Sequence, residues 1–197
     1  MNQEMFKVNK NNTIIEGTGV RFNEEDIDTL ISIYYGWKNL NNLNIALGIR
    51  RINFPESVSE GFSCILFDIL RTNNVSSMHG IKHTSMDAIN PSNGITYQIK
   101  ACSTTSQVSR SANGSPTSFG PRSEWDKLLY IHIDCDKDIM YFYEYEDNIN
   151  NVMVNRKETF ADQCAQGRRP RFNMLPAAKK TKPILIFSLK ERKIIND

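Results

Sequence analysis

The stretch MDAINPSNGITYQIKAC, residues 86 to 102, decides the fold. NPSNG, positions 90 to 94, is a cluster of turn formers, and ITYQIKAC, Ile95 to Cys102, is β-favouring, so the segment predicts two strands joined as a hairpin. If Ile89 pairs with Thr96 across the turn, the same register sets Asp87 opposite Gln98 on one face. Lys100, two residues further along, points to that face as well. Outward from this hairpin, LLYIHI (128 to 133) and IMYFYEY (139 to 145) predict further strands around the acidic turn DCDKD, and PILIFSL (183 to 189) a last one. Helical patterns lie mainly on the N-terminal side. The order of elements predicts an α/β fold, a single domain over residues 1 to 197 with a central mixed β-sheet flanked by helices.

Toward the N-terminus the chain begins with an Asn-rich stretch read as irregular. Asn23 then caps a helix with Glu24, Glu25 and Asp26 in its first turn, where carboxylates suit the positive end of the dipole. Ile27, Leu30, Ile31 and Tyr34 repeat at helical spacing, which predicts an amphipathic helix to about Trp37. Pro55 suits the first turn of a second helix, with Val58, Ile65, Leu66 and Ile69 as its apolar stripe and Glu56 and Glu60 on another face. Asn73 to Thr84 and Ser103 to Pro121, rich in Asn, Ser, Thr and Gly, predict loops, the second one long enough to suggest a function.

Composition narrows the class. With 197 residues, 40% hydrophobic and 23% charged, the chain fits one ordinary globular domain. The first twenty residues lack an apolar run of signal-peptide length, and no run approaches the roughly 20 residues that span a bilayer, so a cytoplasmic protein is expected. Cys64, Cys102, Cys135 and Cys164 are scattered singly, which predicts reduced, mostly buried thiols rather than a zinc ribbon or a disulfide framework. The net charge is +2, but the charges are uneven. No acid lies between Asp87 and Glu124, while Lys100, Arg110 and Arg122 do. From Arg168 to Lys193, nine basic residues face one acid, Glu191. Such stretches suit either solvated surfaces or a polyanionic partner.

A carboxylate, an amide oxygen and an ammonium converging beside the helix of Glu56 and Glu60 can hold a hard cation and a phosphate together. Phosphodiester hydrolysis requires that pairing: an oxygen-ligated magnesium ion to bind the phosphate and acidify water, and a positioned group to orient that water. Asp87 and Gln98 suit the first task and Lys100 the second.

Ser85-Met86-Asp87 followed by Gln98-Ile99-Lys100 resembles the signature of the PD-(D/E)XK nuclease superfamily, an Asp at one strand's end and then Glu or Asp, any residue, and Lys. The resemblance implies metal ligation by Asp87, Gln98 and Ile99. It also implies a further Glu from the preceding helix, with Glu60 the first candidate and Glu56 the second. Gln98 departs from the usual carboxylate, offering an oxygen without charge, although Mrr-like restriction enzymes and a transposon end-cleaving nuclease share the Q-x-K form. NFPESVSEG (53 to 61), TSFGPRSEWDKLLYIHID (117 to 134) and GRRPRFN (167 to 173) further resemble small type II restriction enzymes, particularly a Bsp-type group that cuts at GCNGC. That resemblance runs from about Arg51 to Tyr145. It implies a magnesium-dependent endonuclease acting on double-stranded DNA at a short palindromic site, a two-fold homodimer, and a companion DNA methyltransferase. Arg110, Arg122, Arg168, Arg169 and Arg171 then become candidates for phosphate or guanine contact, with plain surface charge the alternative for each.

Other patterns carry less. Asp134, Asp136 and Asp138 imitate a calcium loop, but Ile139 stands where the sharp turn needs Gly and Tyr145 where the bidentate Glu belongs, so a solvated turn is expected. His79 and His83 sit four apart without a third ligand. Tyr141, Phe142, Tyr143 and Tyr145 read as core rather than a base-stacking platform. Two rival functions share the scaffold: a junction-resolving or repair nuclease, and a non-catalytic DNA-binding module, for which Gln98 leaves room.

Overall fold

The hairpin forms in the register read from the sequence. In a computed structural model describing residues 2–10, 13–77, 86–107, 117–120, 125–146, 154–155 and 158–195, Ile89 lies opposite Thr96 and Ala88 opposite Tyr97. These residues belong to β4 (Ala88–Ile89) and β5 (Thr96–Thr104). The turn is closed by the Gly94 N–H donating to the Asn90 carbonyl at 2.8 Å, and Gly94 has φ +73°, a conformation glycine adopts without strain.

β5 is the middle of a nine-stranded sheet. Flanking it are β1 (Asn2–Lys10), β2 (Thr13–Arg21), β3 (Leu70–Ser77), β7 (Lys127–Asp134), β8 (Ile139–Tyr145), β12 (Leu185–Ser188) and β13 (Lys193–Ile195). The spatial order is β1-β2-β3-β4-β5-β7-β8-β12-β13. β5 and β7 run parallel and the other neighbours antiparallel, so the sheet is mixed, as expected. A second small ribbon pairs β6 (Thr117–Ser118) with β11 (Arg171–Phe172), and a third pairs β9 (Val154–Asn155) with β10 (Glu158–Thr159).

Side chains alternate across the strands, which produces two cores. On one face Tyr97, Ile99, Leu129, Ile131 and Ile133 pack beneath α1 (Ile27–Ala46) and α2 (Glu56–Phe67). On the other, Leu128, Tyr130, Tyr143 and Tyr145 meet Trp125, Phe172, Phe160 of α3 (Phe160–Ala165) and Ala178 of α4 (Leu175–Ala178). The aromatic strand is core, in line with its sequence. No helix among the described residues is long and apolar enough to cross a membrane.

Three expectations need correction. The Asn-rich N-terminus is a hairpin, β1 with β2, whose inward residues Phe6, Val8 and Ile15 bury against Leu70, Met86 and Ile89. α1 runs nine residues past Trp37, because Trp37 and Asn41 are buried. The Asn41 carboxamide accepts the Ile52 N–H at 2.8 Å and ties the helix to the returning chain. The helix ends only at Gly48, φ +67°, where a glycine relieves the left-handed turn. Finally, Asn73 to Ser77 belong to β3 rather than a loop, paired to β2 across a bulge at Thr18 and Gly19. In the acidic turn Asp138 accepts from Tyr34 Oη at 2.6 Å and from Lys38 Nζ at 2.5 Å, a structural anchor rather than a solvated charge. The four cysteines are free, with Cys64 and Cys135 buried, Cys102 intermediate and Cys164 exposed.

Candidate active site

Asp87 stands where the pairing of β4 with β5 stops. Its N–H donates to the Tyr97 carbonyl at 2.9 Å and its carbonyl accepts the Thr72 N–H at 3.0 Å, so its backbone is pinned from both sides. Beyond Tyr97 the next inward N–H of β5, that of Ile99, has no ladder partner on β4. The Asp87 carboxylate takes that place, Oδ2 accepting from Ile99 N at 2.7 Å and from Lys100 Nζ at 3.2 Å. Burial pushes the Asp87 carboxyl above the usual carboxylate range, while Lys100 and the Ile99 N–H hold it back.

Glu60 reaches the same place from α2. It is 8% exposed and pairs with the Arg71 guanidinium of β3 through Arg71 Nε. Burial raises its pKa too, with Arg71 opposing and the charges of Asp87 and Glu56 adding to the rise. Glu60 and Asp87 line the same cleft. α2 sits deep because Gly61 lets it: a Cβ there would meet both Leu30 methyl carbons of α1 at 2.8 Å. Glu56, one turn earlier, is exposed.

These groups wall a cleft of about 650 Å³, which also takes in Ile99, Thr117 and the loop residues Arg50 and Arg51. Hard, oxygen-seeking cations fit carboxylates and carbonyls, and Asp87, Glu60 and Ile99 supply them here. A cation would also offset the burial that disfavours both carboxylate anions. Among the described residues no three His, Cys, Asp or Glu side chains cluster for a metal, in keeping with an amide at position 98. Gln98 itself is 1% exposed, and its Oε1 accepts the Gly120 N–H at 3.2 Å.

The structure thus brings together Asp87, Lys100 and Glu60, and buries Gln98 in the sheet beside them. Arg110 and Arg122, with His79 and His83, lie outside the described residues. Arg168, Arg169 and Arg171 are exposed, but their surroundings differ. Arg168 is paired with Glu158 at 2.6 Å. Arg169 Nε donates to the Phe119 carbonyl at 3.3 Å and Arg171 Nε to Ser118 Oγ at 2.9 Å, which fastens both to the β6 segment that begins at cleft-lining Thr117. Sequence reasoning missed Arg71, which no local pattern links to Glu60. It also missed Arg50 and Arg51, whose adjacency just ahead of NFPESVSEG was a usable signal. Arg51 Nη2 donates to Ser103 Oγ at 3.4 Å, and its Nε is buried without a partner.

The Bsp6I restriction endonuclease family model matches residues 22–178. A curated relative, the type II restriction enzyme Bsp6I of Bacillus sp. (strain RFL6), is 30% identical over 184 residues, covering 89% of this chain and 95% of the relative. No solved structure matches. The family match contains the whole cleft, and it leaves the β1–β2 hairpin and the last two strands outside.

Proposed function

The chain belongs to the Bsp6I restriction endonuclease family, and from that membership we propose that it is a type II site-specific deoxyribonuclease that hydrolyses double-stranded DNA with Asp87, Lys100 and Glu60, which line the cleft, and Gln98, buried in the sheet beside them. The observation that carries the site assignment is the meeting of Asp87 and Lys100 at 3.2 Å in the lining of a cleft that Glu60 also lines. Magnesium is the fitting cofactor, with Asp87, the Gln98 amide oxygen and the Ile99 backbone as its holders and Glu60 in support. When bound it supplies a Lewis acid for the scissile phosphate and lowers the pKa of a water.

The chain's own residues do the rest. Lys100, positioned by Asp87, orients the attacking water and balances charge gathering on the phosphate. Arg71 keeps Glu60 aimed into the cleft. Arg169 and Arg171 suit DNA contact beside β6, and Arg50 and Arg51 line the cleft where a backbone phosphate would pass. The target fits a short palindrome such as GCNGC in the DNA of the cytoplasm. A two-fold homodimer would cut both strands, and a methyltransferase would protect the host's own sites.

Lys100→Ala tests the assignment. On plasmid with magnesium the variant is expected to lose cleavage by about 10²–10⁴-fold while retaining DNA affinity in a gel shift. Wild-type cutting by the variant would remove Lys100 from the chemistry. A wild-type protein that binds but never yields discrete fragments would favour the non-catalytic rival, and cleavage of branched DNA alone would favour the resolvase.

A further inference from the structure

The outward face of α1 carries large exposed apolar side chains among Ser32, Asn39 and Asn42 and is nearly free of charge. Six of the nine exposed large hydrophobics among the described residues fall between positions 33 and 52: Ile33, Leu40, Leu43, Leu47, Ile49 and Ile52, with Leu43 60% and Leu47 71% exposed. From Thr29 to Ile49 the sole charged residue is Lys38, and it is turned to Asp138 at 2.5 Å. A surface helix normally presents charges to water. Loss of charge with gain of large apolar groups is instead the signature of an interface centre.

We propose that this face of α1 is the seam on which a second copy of the chain docks in two-fold, antiparallel fashion; the inference rests on the restriction-endonuclease reading. Ile33, Leu40 and Leu47 are seven residues apart, and Gly36 and Leu43 are likewise, so they form one stripe of heptad spacing. A two-fold contact must be self-complementary, residue by residue. With the axis between Leu40 and Leu43, Leu40 meets Leu43 of the partner subunit and Gly36 meets Leu47 of the partner subunit. The second pairing sets the most protruding leucine against a gap, since a Cβ at Gly36 would find nothing within 4 Å. The helix has 20 residues, so the seam extends about 30 Å.

The surroundings favour a like copy over other occupants. A polyanion would require cations that this face lacks. The chain leaving α1 passes through Arg50, Arg51, Ile52 and Phe54, all of which line the catalytic cleft. A seam on α1 therefore sets two clefts next to each other, as a double-strand cut demands.

Sedimentation of the intact protein with and without DNA, for wild type, Leu43→Glu and the double variant Leu40→Lys with Leu43→Glu, tests the seam. Leu43 is exposed, so circular dichroism should match across the three. The expected result is a wild-type dimer, self-association weakened by roughly 30-fold or more in the single variant with plasmid nicked rather than linearised, and recovery in the double variant, where Lys meets Glu of the partner twice. A Leu43→Glu dimer as tight as wild type would overturn this seam while leaving the two-fold reading standing. A wild-type monomer, free and on DNA, would overturn both, and neither outcome bears on Lys100.

Discussion

Gly61→Ala couples the fold to the site, and its effect can be worked from the packing. The added Cβ would lie 2.8 Å from both Leu30 Cδ1 and Cδ2 and 3.3 Å from Phe22 Cε1, where ordinary contact begins near 3.4 Å. Leu30 is 3% exposed and Phe22 9%, so neither can swing into solvent. α2 must therefore lift from α1 by roughly half an ångström, at an overpacking cost of about 1–3 kcal/mol. Better helix propensity returns up to about 1 kcal/mol. The net expectation is destabilisation of about 1–2 kcal/mol, or about 2–8 °C in the thermal midpoint of a chain this size.

Glu60 precedes the substituted residue and moves with it, away from Asp87 and the cleft. Displacements of that order cost catalysis well beyond their stability effect, so cleavage by the folded variant should fall by about 10-fold or more. Leu30→Ala alone opens a cavity, but together with Gly61→Ala it restores space, so the double variant should be less destabilised than the two single costs added. Thermal melts and plasmid cleavage below the transition report both quantities. A Gly61→Ala protein as stable and as active as wild type would refute the claim that helix contact sets Glu60.

Two further expectations follow from the same geometry. His132 is 7% exposed, stacks on Tyr141 and bonds Thr104 Oγ1 at 2.8 Å, and burial lowers its pKa to about 4. Its contribution to stability is therefore complete above the unfolded value near 6.5 and is lost as pH falls from there toward 4. The full loss is on the order of 3 kcal/mol, about 2 of it above pH 5, so urea midpoints at pH 7 and pH 5 should differ less in His132→Phe than in wild type, and equal differences would contradict it. For DNA binding, Arg169→Ala and Arg171→Ala should each weaken affinity and lower the salt slope by about 1 if they touch phosphates, whereas Arg168→Ala should cost less because Glu158 already holds that guanidinium. Anisotropy titrations at two salt concentrations decide it, and an Arg168 effect as large as the others would reverse the assignment.

What could be read in the sequence was what local chemistry enforces. NPSNG and the β-favouring run after it fixed the Ile89–Thr96 register, and with it the meeting of Asp87 and Lys100. β1 escaped because an edge hairpin buries few residues: Phe6 and Val8 face inward among Gln, Glu, Lys and Asn, and such a strand reads as polar. β3 escaped for a related reason, since RTNNVSS takes its strand geometry from β2 and β4 rather than from its own propensity. In α1 the pattern faded past Trp37 because exposed Leu40, Leu43 and Leu47 there alternate with exposed Asn39 and Asn42, which breaks the contrast that marks an amphipathic helix. Arg71 was out of reach, because its partner Glu60 is on a different element and only the α2–β3 packing joins them.

Gln98 gains a physical reason from its surroundings. Asp87, half-buried, and Glu60, buried, are both carboxylates whose pKa values are raised, and each is stabilised by one cation, Lys100 and Arg71 respectively. A glutamate at position 98, 1% exposed and opposite Asp87 in register, would add a third anion where burial already disfavours two. An amide supplies the same oxygen and accepts the same Gly120 N–H without that charge. On the proposed reading the metal-holding charge then falls to Asp87 and Glu60 together, which makes the depth of α2, and so the missing side chain at Gly61, part of the catalytic design.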